Sequence, residues 1–216
     1  MSHRERSYTS DLTDEQWERL RPLLRLDRGG PGRPIELNIR SVVDAIFYIL
    51  RTGCQWDELP SEYPNHNSVY YHYAKWRDDG TWQAINQELR QQERQREGRE
   101  AEPSAAIIDS QSVKTTEVGG ECGYDAGKKI KGRKRHIVVD TLGHLLEVVV
   151  HAADIQDRDG AKLVLAKLSP ATQEHLHRLW ADGGYAGALI DWVREQLAAI
   201  LEIVAKDPNQ AGFHVL

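Results

Sequence analysis

With 216 residues, 40% of them hydrophobic and 28% charged, the chain can hold one large domain or two small ones, each with its own apolar core. No apolar run approaches the roughly 18 residues that span a bilayer, and MSHRERSYTSDLT lacks the apolar region of a signal peptide. Cys54 and Cys122 are too few for a disulfide framework, and the net charge of −5 gives no general basic surface. These features fit a cytoplasmic protein with reduced thiols.

The first hundred residues are helical in pattern. LTDEQWERLRPLL sets Thr13 and Gln16 at capping-box spacing, then Trp17, Leu20 and Leu24 on one face. RSVVDAIFYILRTG gathers Val42, Val43, Ile46, Phe47 and Leu50, with Gly53 as the C-cap. NSVYYHYAKWRDDG predicts a third helix and TWQAINQELRQQERQ a fourth. The charged stretch QREGREAEPS, 95–104, lacks apolar periodicity and reads as a helix end running into a linker. The expected domains are therefore 1–97 and 105–216, joined by 98–104.

Beyond the linker the pattern changes to short Val- and Ile-rich runs: AAIID, HIVVD, LLEVVV, HRLWAD and ILEIVA. Helical stretches, DGAKLVLAKL and GALIDWVREQL, separate the later ones. The fold class expected is α+β, a helical domain followed by a mixed sheet with helices packed on it.

Two of these runs share a design. AAIIDSQSVKT and HRLWADGGYAG each read as an apolar strand that ends in an aspartate, Asp109 or Asp182, and opens into a polar loop. Each aspartate alone is an ordinary turn residue. On parallel neighbouring strands, however, both would project from the sheet edge at which open α/β sheets bind ligands. Paired carboxylates are hard oxygen ligands suited to Mg²⁺. Between them GKKIKGRKRH concentrates Lys128, Lys129, Lys131, Arg133, Lys134 and Arg135, six of the 13 basic residues beyond position 103. Lys114 adds to them. The bland reading of such a run is a solvated loop; beside two carboxylates it suits a phosphodiester polyanion. Asp154, Asp157 and Asp159 lack the distal glutamate of a calcium loop, and capping of the helix that starts near Gly160 explains Asp157 or Asp159 more cheaply. The histidines and two cysteines form no zinc pattern.

The combination AAIIDSQSVKT…GKKIKGRKRHIVVDTLG…LWADGGYAG, preceded by LTDEQWERLRPLL…RTGCQWDELP, resembles the DDE transposases of bacterial insertion sequences, family five. The resemblance implies an RNase H-like catalytic domain in which two aspartates and a glutamate bind two Mg²⁺ ions. Asp109 and Asp182 match the aspartates. It also implies partners: the terminal inverted repeats of an insertion sequence and target DNA, bound by a homo-oligomer in the bacterial nucleoid. The third acidic residue of the family should follow ILEIVAKD, where this sequence reads NQAGFHVL. Glu195 and Glu202 do not match its position. The expectation is a C-terminally truncated chain that holds Mg²⁺ weakly and needs a second polypeptide or a frameshift extension for the missing residue. Under the same resemblance DELPSEYPNHNSVYYHYAKWRDDG reads as helix, turn and helix, with Asn67, Tyr70, Tyr71, His72, Lys75 and Arg77 offered to the major groove. Against that, residues 1–103 hold 15 basic and 18 acidic residues, and Val69, Tyr70, Tyr73 and Trp76 have the spacing of a core face. The readings left open are a transposase, an inactive truncated transposase that represses by binding DNA, and an unrelated Mg²⁺-dependent phosphodiesterase.

Overall fold

A computed structural model describes residues 8–25, 37–115 and 120–204, and the chain divides into two units, Met1–Leu89 and Arg90–Leu216. The division falls inside a helix, not in the expected linker at 98–104. The reason is local: the end of that helix bonds within the second unit, as shown below.

In the first unit, α1 (Asp14–Leu20) starts on the expected capping box, with Thr13 Oγ1 accepting from Gln16 N at 3.1 Å and Gln16 Oε1 from Thr13 N at 2.9 Å. Helix α2 (Ile39–Thr52) is capped by Asn38 and ends at Gly53, whose φ of 70° favours glycine. Two more helices, α3 (His66–Asp78) and α4 (Thr81–Arg96), follow. Leu20, Leu24, Val42, Val43, Ile46, Val69, Trp76 and Ile85 make the core. Leu50, expected on that face, is 67% exposed, because α2 buries its first two turns rather than its last. Between α2 and α3 there is only a single 3₁₀ turn, Trp56–Glu58, so DELP supplies no full helix ahead of α3, contrary to the helix, turn and helix expected there.

The second unit is a six-stranded sheet of β1 (Ala105–Lys114), β2 (Gly123–Asp125), β3 (Ile130–Asp140), β4 (Leu145–Ala152), β5 (Arg178–Ala181) and β6 (Ile200–Ile203). β1 runs antiparallel to β3 and parallel to β5, and β5 is parallel to β6. The other edge of β3 is shared, β2 pairing with Ile130–Gly132 and β4 with Arg133–Val139. Helices α5 (Asp157–Leu165), α6 (Pro170–His175) and α7 (Ala188–Leu197) lie between the later strands. Ala106, Ile108, Val138, Val149, Leu179 and Leu201 form one core with Ala161, Val164 and Leu165 of α5 and Leu189 and Val193 of α7. The opposite face leaves Ile107, Val113, Val148 and Val150 exposed. Helices followed by a curled mixed sheet with helices packed on it make the α+β, RNase H-like architecture that the sequence implies.

Two details differ from expectation. β1 continues to Lys114, so Asp109 lies in mid-strand, because its ladder with β3 runs from Ala106 to Lys114. Only its pairing with β5 stops early, at Ile107. GKKIKGRKRH is likewise not a loop: β3 begins at Ile130, and strand alternation, hidden by the charges, orders the rest. Segment 205–216, where the third acidic residue of the family is missed, lies outside the described residues. Among the described residues no helix is long and apolar enough to cross a membrane.

Buried ion pairs hold the start of the second unit. Arg94 Nη1 donates to Asp140 Oδ2 at 2.7 Å and its Nε to Glu100 O at 2.9 Å, with the Asp140 side chain fully buried. Burial pushes the Asp140 carboxyl up, but Arg94 and the N–H groups of His144 and Leu142 outweigh it and hold the group below its ordinary range. Gln91 and Thr172 similarly satisfy Glu102, at 2.6 and 2.7 Å. Removing one partner of a buried pair strands the other charge, so Arg94→Ala should destabilise this unit by about 3 kcal/mol. Asp140→Asn in the same chain should recover part of that loss, as read by chemical denaturation.

Candidate functional site

The register of β1 on β5 sets the geometry. Ala105 faces Arg178, Ala106 faces Leu179 and Ile107 faces Trp180. The pairing stops there, two residues before Asp109 in β1 and two before Asp182, the residue that follows β5. Both carboxylates are exposed. Each spends one oxygen on a nearby backbone N–H: Asp109 Oδ1 accepts from Ser110 N at 2.7 Å, and Asp182 Oδ1 from Gly184 N at 2.9 Å. The second bond makes Asp182 the cap of a 3₁₀ turn, Gly183–Tyr185. The remaining oxygens are available to a ligand.

A groove of about 540 Å³ opens on the uncovered face of the sheet, lined by Asp109, Ser110, Gln111, Arg135, Ile137, Leu145 and Val148. Asp182 is not part of its lining. The cross-strand pairs Asp109–Ile137, Gln111–Arg135 and Val113–Arg133 share this face, and Arg135 bonds Gln111 across it. Lys114, Lys128, Lys129, Lys131 and Arg135 are exposed, whereas Arg133 is half-buried with its Nε on Glu121 O. Lys128 reaches Ser110 O at 3.2 Å, next to Asp109. Lys134 departs from the group. It alternates to the covered face, is buried, and meets Asp157 Oδ1 at 2.9 Å, Asp125 Oδ2 at 3.5 Å and Ile155 O at 2.9 Å. Its position serves internal carboxylates and not the solvent-facing role expected from the run.

In the first unit the outer side of α3 carries Asn67, Tyr70 and Tyr71, with Tyr71 62% exposed. Arg77 is exposed but holds Asp78 through two bonds, 2.7 and 3.2 Å, while Lys75 is half-buried. His72 turns inward with Val69 and Trp76, and burial lowers its pKa. Core spacing therefore accounts for Val69, His72 and Trp76, and it leaves the others outside.

Beneath Asp109 and Asp182 lies a polar layer that sequence spacing does not reveal. Ser110 Oγ donates to Asp157 Oδ1 at 3.0 Å. Tyr185 hydroxyl bonds His136 Nδ1 at 3.1 Å, and the His136 ring stacks on His151 with centroids 5.0 Å apart. Gly160 of α5 lets both rings fit: a Cβ there would stand 2.3 Å from His136 Nε2 and 2.6 Å from His151 Nε2. Burial raises the Tyr185 pKa; Ser110 partly offsets this, and the charges of Asp157, Asp109 and Asp182 add to it. One phenol thus senses all three carboxylates. The only sequence hint was Asp157 near a helix start, where it reads as a cap; α5 does begin at Asp157, but Gln156 is the N-cap residue and no side chain caps the helix, because Asp157 turns to Ser110 and Lys134 instead.

Burial, the neighbouring His151 and the cations Lys134 and Lys128 lower His136 to about 4, against a smaller opposing pull from Asp157. Because the folded value lies below the ordinary one of about 6.5, the unfolded chain takes up the proton first as pH falls. The contribution of neutral His136 is complete above about pH 6.5 and is lost towards pH 4. Its slope is at most about 1.4 kcal/mol per pH unit. Denaturation of the wild type between pH 7 and 4.5 should show this slope, and His136→Phe should flatten it.

Comparisons with known proteins bear on both units. Residues 12–86 match the family model described as "Putative transposase of IS4/5 family", and residues 100–209 match "Transposase DDE domain". The chain is similar to the uncharacterized protein y4sN of Sinorhizobium fredii, 32% identical over 69 residues, which are 32% of this chain and 54% of that protein. It is also similar to the insertion element IS402 uncharacterized 16.2 kDa protein of Burkholderia cepacia, 27% identical over 119 residues, 52% of this chain and 78% of that protein. The chain thus spans about half the length of the first relative. No solved structure matches it. With the DDE model covering residues 100–209, and so just over half of its length, this chain belongs to the DDE-domain transposases of insertion sequences.

Proposed function

We propose that this chain binds the terminal inverted repeats of an insertion sequence and that Asp109 and Asp182 are the metal-binding carboxylates of DNA strand cutting and joining. The observation that supports the reading is the β1–β5 pairing, Ile107 against Trp180, which brings the two strands side by side two residues before each aspartate. Their donor chemistry fits Mg²⁺: both are exposed carboxylates, hard oxygen ligands, each with one oxygen not engaged by a neighbouring backbone N–H. Among the described residues no group of three or more His, Cys, Asp or Glu side chains could hold a metal ion. The reading therefore gives two aspartates an incomplete ligand set, which phosphate oxygens and water fill when DNA is present. When bound, divalent metal polarises the phosphoryl oxygens and stabilises the attacking and leaving oxygens.

The rest falls to the protein. Lys128, Arg135 and their exposed neighbours hold the phosphate backbone beside Asp109, and Gln111 orients Arg135. In the first unit, Asn67, Tyr71, Lys75 and Arg77 of α3 are proposed to contact DNA, Tyr71 by stacking or apolar contact and the charged pair at phosphates. Cleavage by the 216-residue chain separates an active transposase from a repressor that only binds. Metal-dependent nicking of terminal-repeat DNA that Asp109→Ala abolishes supports the first; binding without nicking supports the second, or a third acidic residue supplied by another polypeptide.

Two outcomes test the reading directly. Asp109→Ala and Asp182→Ala should each weaken Mn²⁺ binding by at least about tenfold, the scale at which losing even an outer-shell partner is felt. Equal affinity in both variants and the wild type, by titration of the free-Mn²⁺ electron spin signal, would remove the metal site. Neutralising Lys128, Lys129, Lys131 and Arg135 should flatten the slope of log affinity against log salt by up to about 0.9 for each phosphate that the variant no longer neutralises. Lys134→Met, altering a buried residue, should leave that slope unchanged.

A further inference from the structure

Resting on the metal-site reading above, we propose that Asp157 is a positioning residue for Asp109 and Asp182, acting from the covered side of the sheet. It is the first residue of α5, and its Oδ1 accepts from both Ser110 Oγ at 3.0 Å and Lys134 Nζ at 2.9 Å. Ser110 is the residue whose backbone N–H holds Asp109. A line of bonds therefore runs from a buried ammonium, through Asp157 and Ser110, to Asp109 Oδ1. Lys134 cannot drift, since its side chain is 5% exposed and is also held by Ile155 O and Asp125.

The other oxygen of Asp157 turns towards the second aspartate. A Cβ placed on Gly184 would lie 3.3 Å from Asp157 Oδ2 and 3.1 Å from Asp182 Oδ1, so both carboxylates crowd the same glycine. Gly184 is the residue whose N–H holds Asp182. The next residue, Tyr185, is anchored to His136, the cross-strand partner of Ser110. Asp157 thus bonds the strand neighbour of Asp109 and lies near Gly184, the residue that holds Asp182. A buried ion pair is a weak source of stability, and an apolar pair would pack as well. Its value here is orientation: ligand carboxylates must be held to about half an ångström, and outer partners do the holding.

Mn²⁺ affinity measured by electron spin resonance, with thermal unfolding as the check on folding, tests the proposal. Asp157→Ala and Ser110→Ala should each weaken Mn²⁺ binding by about tenfold. Asp157→Asn keeps an oxygen for Ser110 and Lys134 and should stay within about threefold of the wild type, a rescue that a carboxylate binding the metal itself would not show. Asp157→Asn losing as much affinity as Asp109→Ala overturns the positioning role in favour of a direct ligand. Wild-type affinity in folded Asp157→Ala overturns it altogether. If Asp157→Ala fails to fold, Ser110→Ala decides, because it deletes one hydroxyl and leaves the Lys134–Asp157 pair intact. Should Asp109→Ala itself leave Mn²⁺ binding unchanged, the metal reading falls and takes this inference with it; loss in Asp109→Ala without loss in Ser110→Ala or Asp157→Ala sinks the inference alone.

Discussion

Three parallel backbone pairs, Ala105 with Arg178, Ala106 with Leu179 and Ile107 with Trp180, fix everything that follows at the candidate site. A slip of one residue would turn β5 over and send its side chains to the wrong faces. The slip is opposed by apolar burial: Ala106, Ile108, Leu179, Ala181 and Leu201 all point to the covered face and are buried there. Register in this sheet is thus held by hydrophobic burial on one side, and the polar consequence is delivered just beyond the end of the pairing. Neither aspartate contributes to the force that places it.

The same division of labour explains what could be read from the sequence. Capping at Thr13 and Gln16, the Gly53 stop, and the Val- and Ile-rich strands are local signals, and they stand in the structure as local features. The end of β5 just before Asp182 was legible because the apolar run stops there. The length of β1 was not. Its second half, Ser110 to Lys114, is polar, and its strand character comes from pairing with β3, a partner some twenty residues away. Local propensity carries no record of that partner. Lys134 was hidden for a related reason: in a run of cations, period-two alternation has no contrast to show.

The buried layer of Ser110, Asp157, Lys134, His136 and Tyr185 was illegible for a stronger reason. Its members come from β1, α5, β3 and the turn after β5, and no spacing in one dimension links them. Each has an ordinary explanation alone, as a turn residue, a helix start or a strand residue. Only the closure of the sheet makes them neighbours. His136 Nε2 and His151 Nε2 have no hydrogen-bond partner and no room beside Gly160 for anything larger than hydrogen. A cluster left this tight and partly unsatisfied is costly by stability alone, which fits a layer whose geometry matters more than its contribution to folding.

Charge follows the same logic of faces. A chain with net charge −5 looks ill suited to a polyanion, yet the whole-chain sum averages over distances that salt does not respect. At physiological ionic strength the screening length is about 8 Å, so an approaching phosphate responds to the cations within one or two side chains of it. Alternation along β3 sorts those cations into two sets. Lys131, Arg133 and Arg135 share the open face with Asp109, whereas Lys134 goes inward to neutralise Asp125 and Asp157. Asp125, held first by Ser112 and then by backbone and Lys134 contacts, is depressed to about 2 and stays ionised, so the inner lysine spends its charge inside. Lys131 and Arg135 are left exposed on the face that carries Asp109. On this face the alternation of a single strand, and not the composition of the chain, decides the sign of the local field.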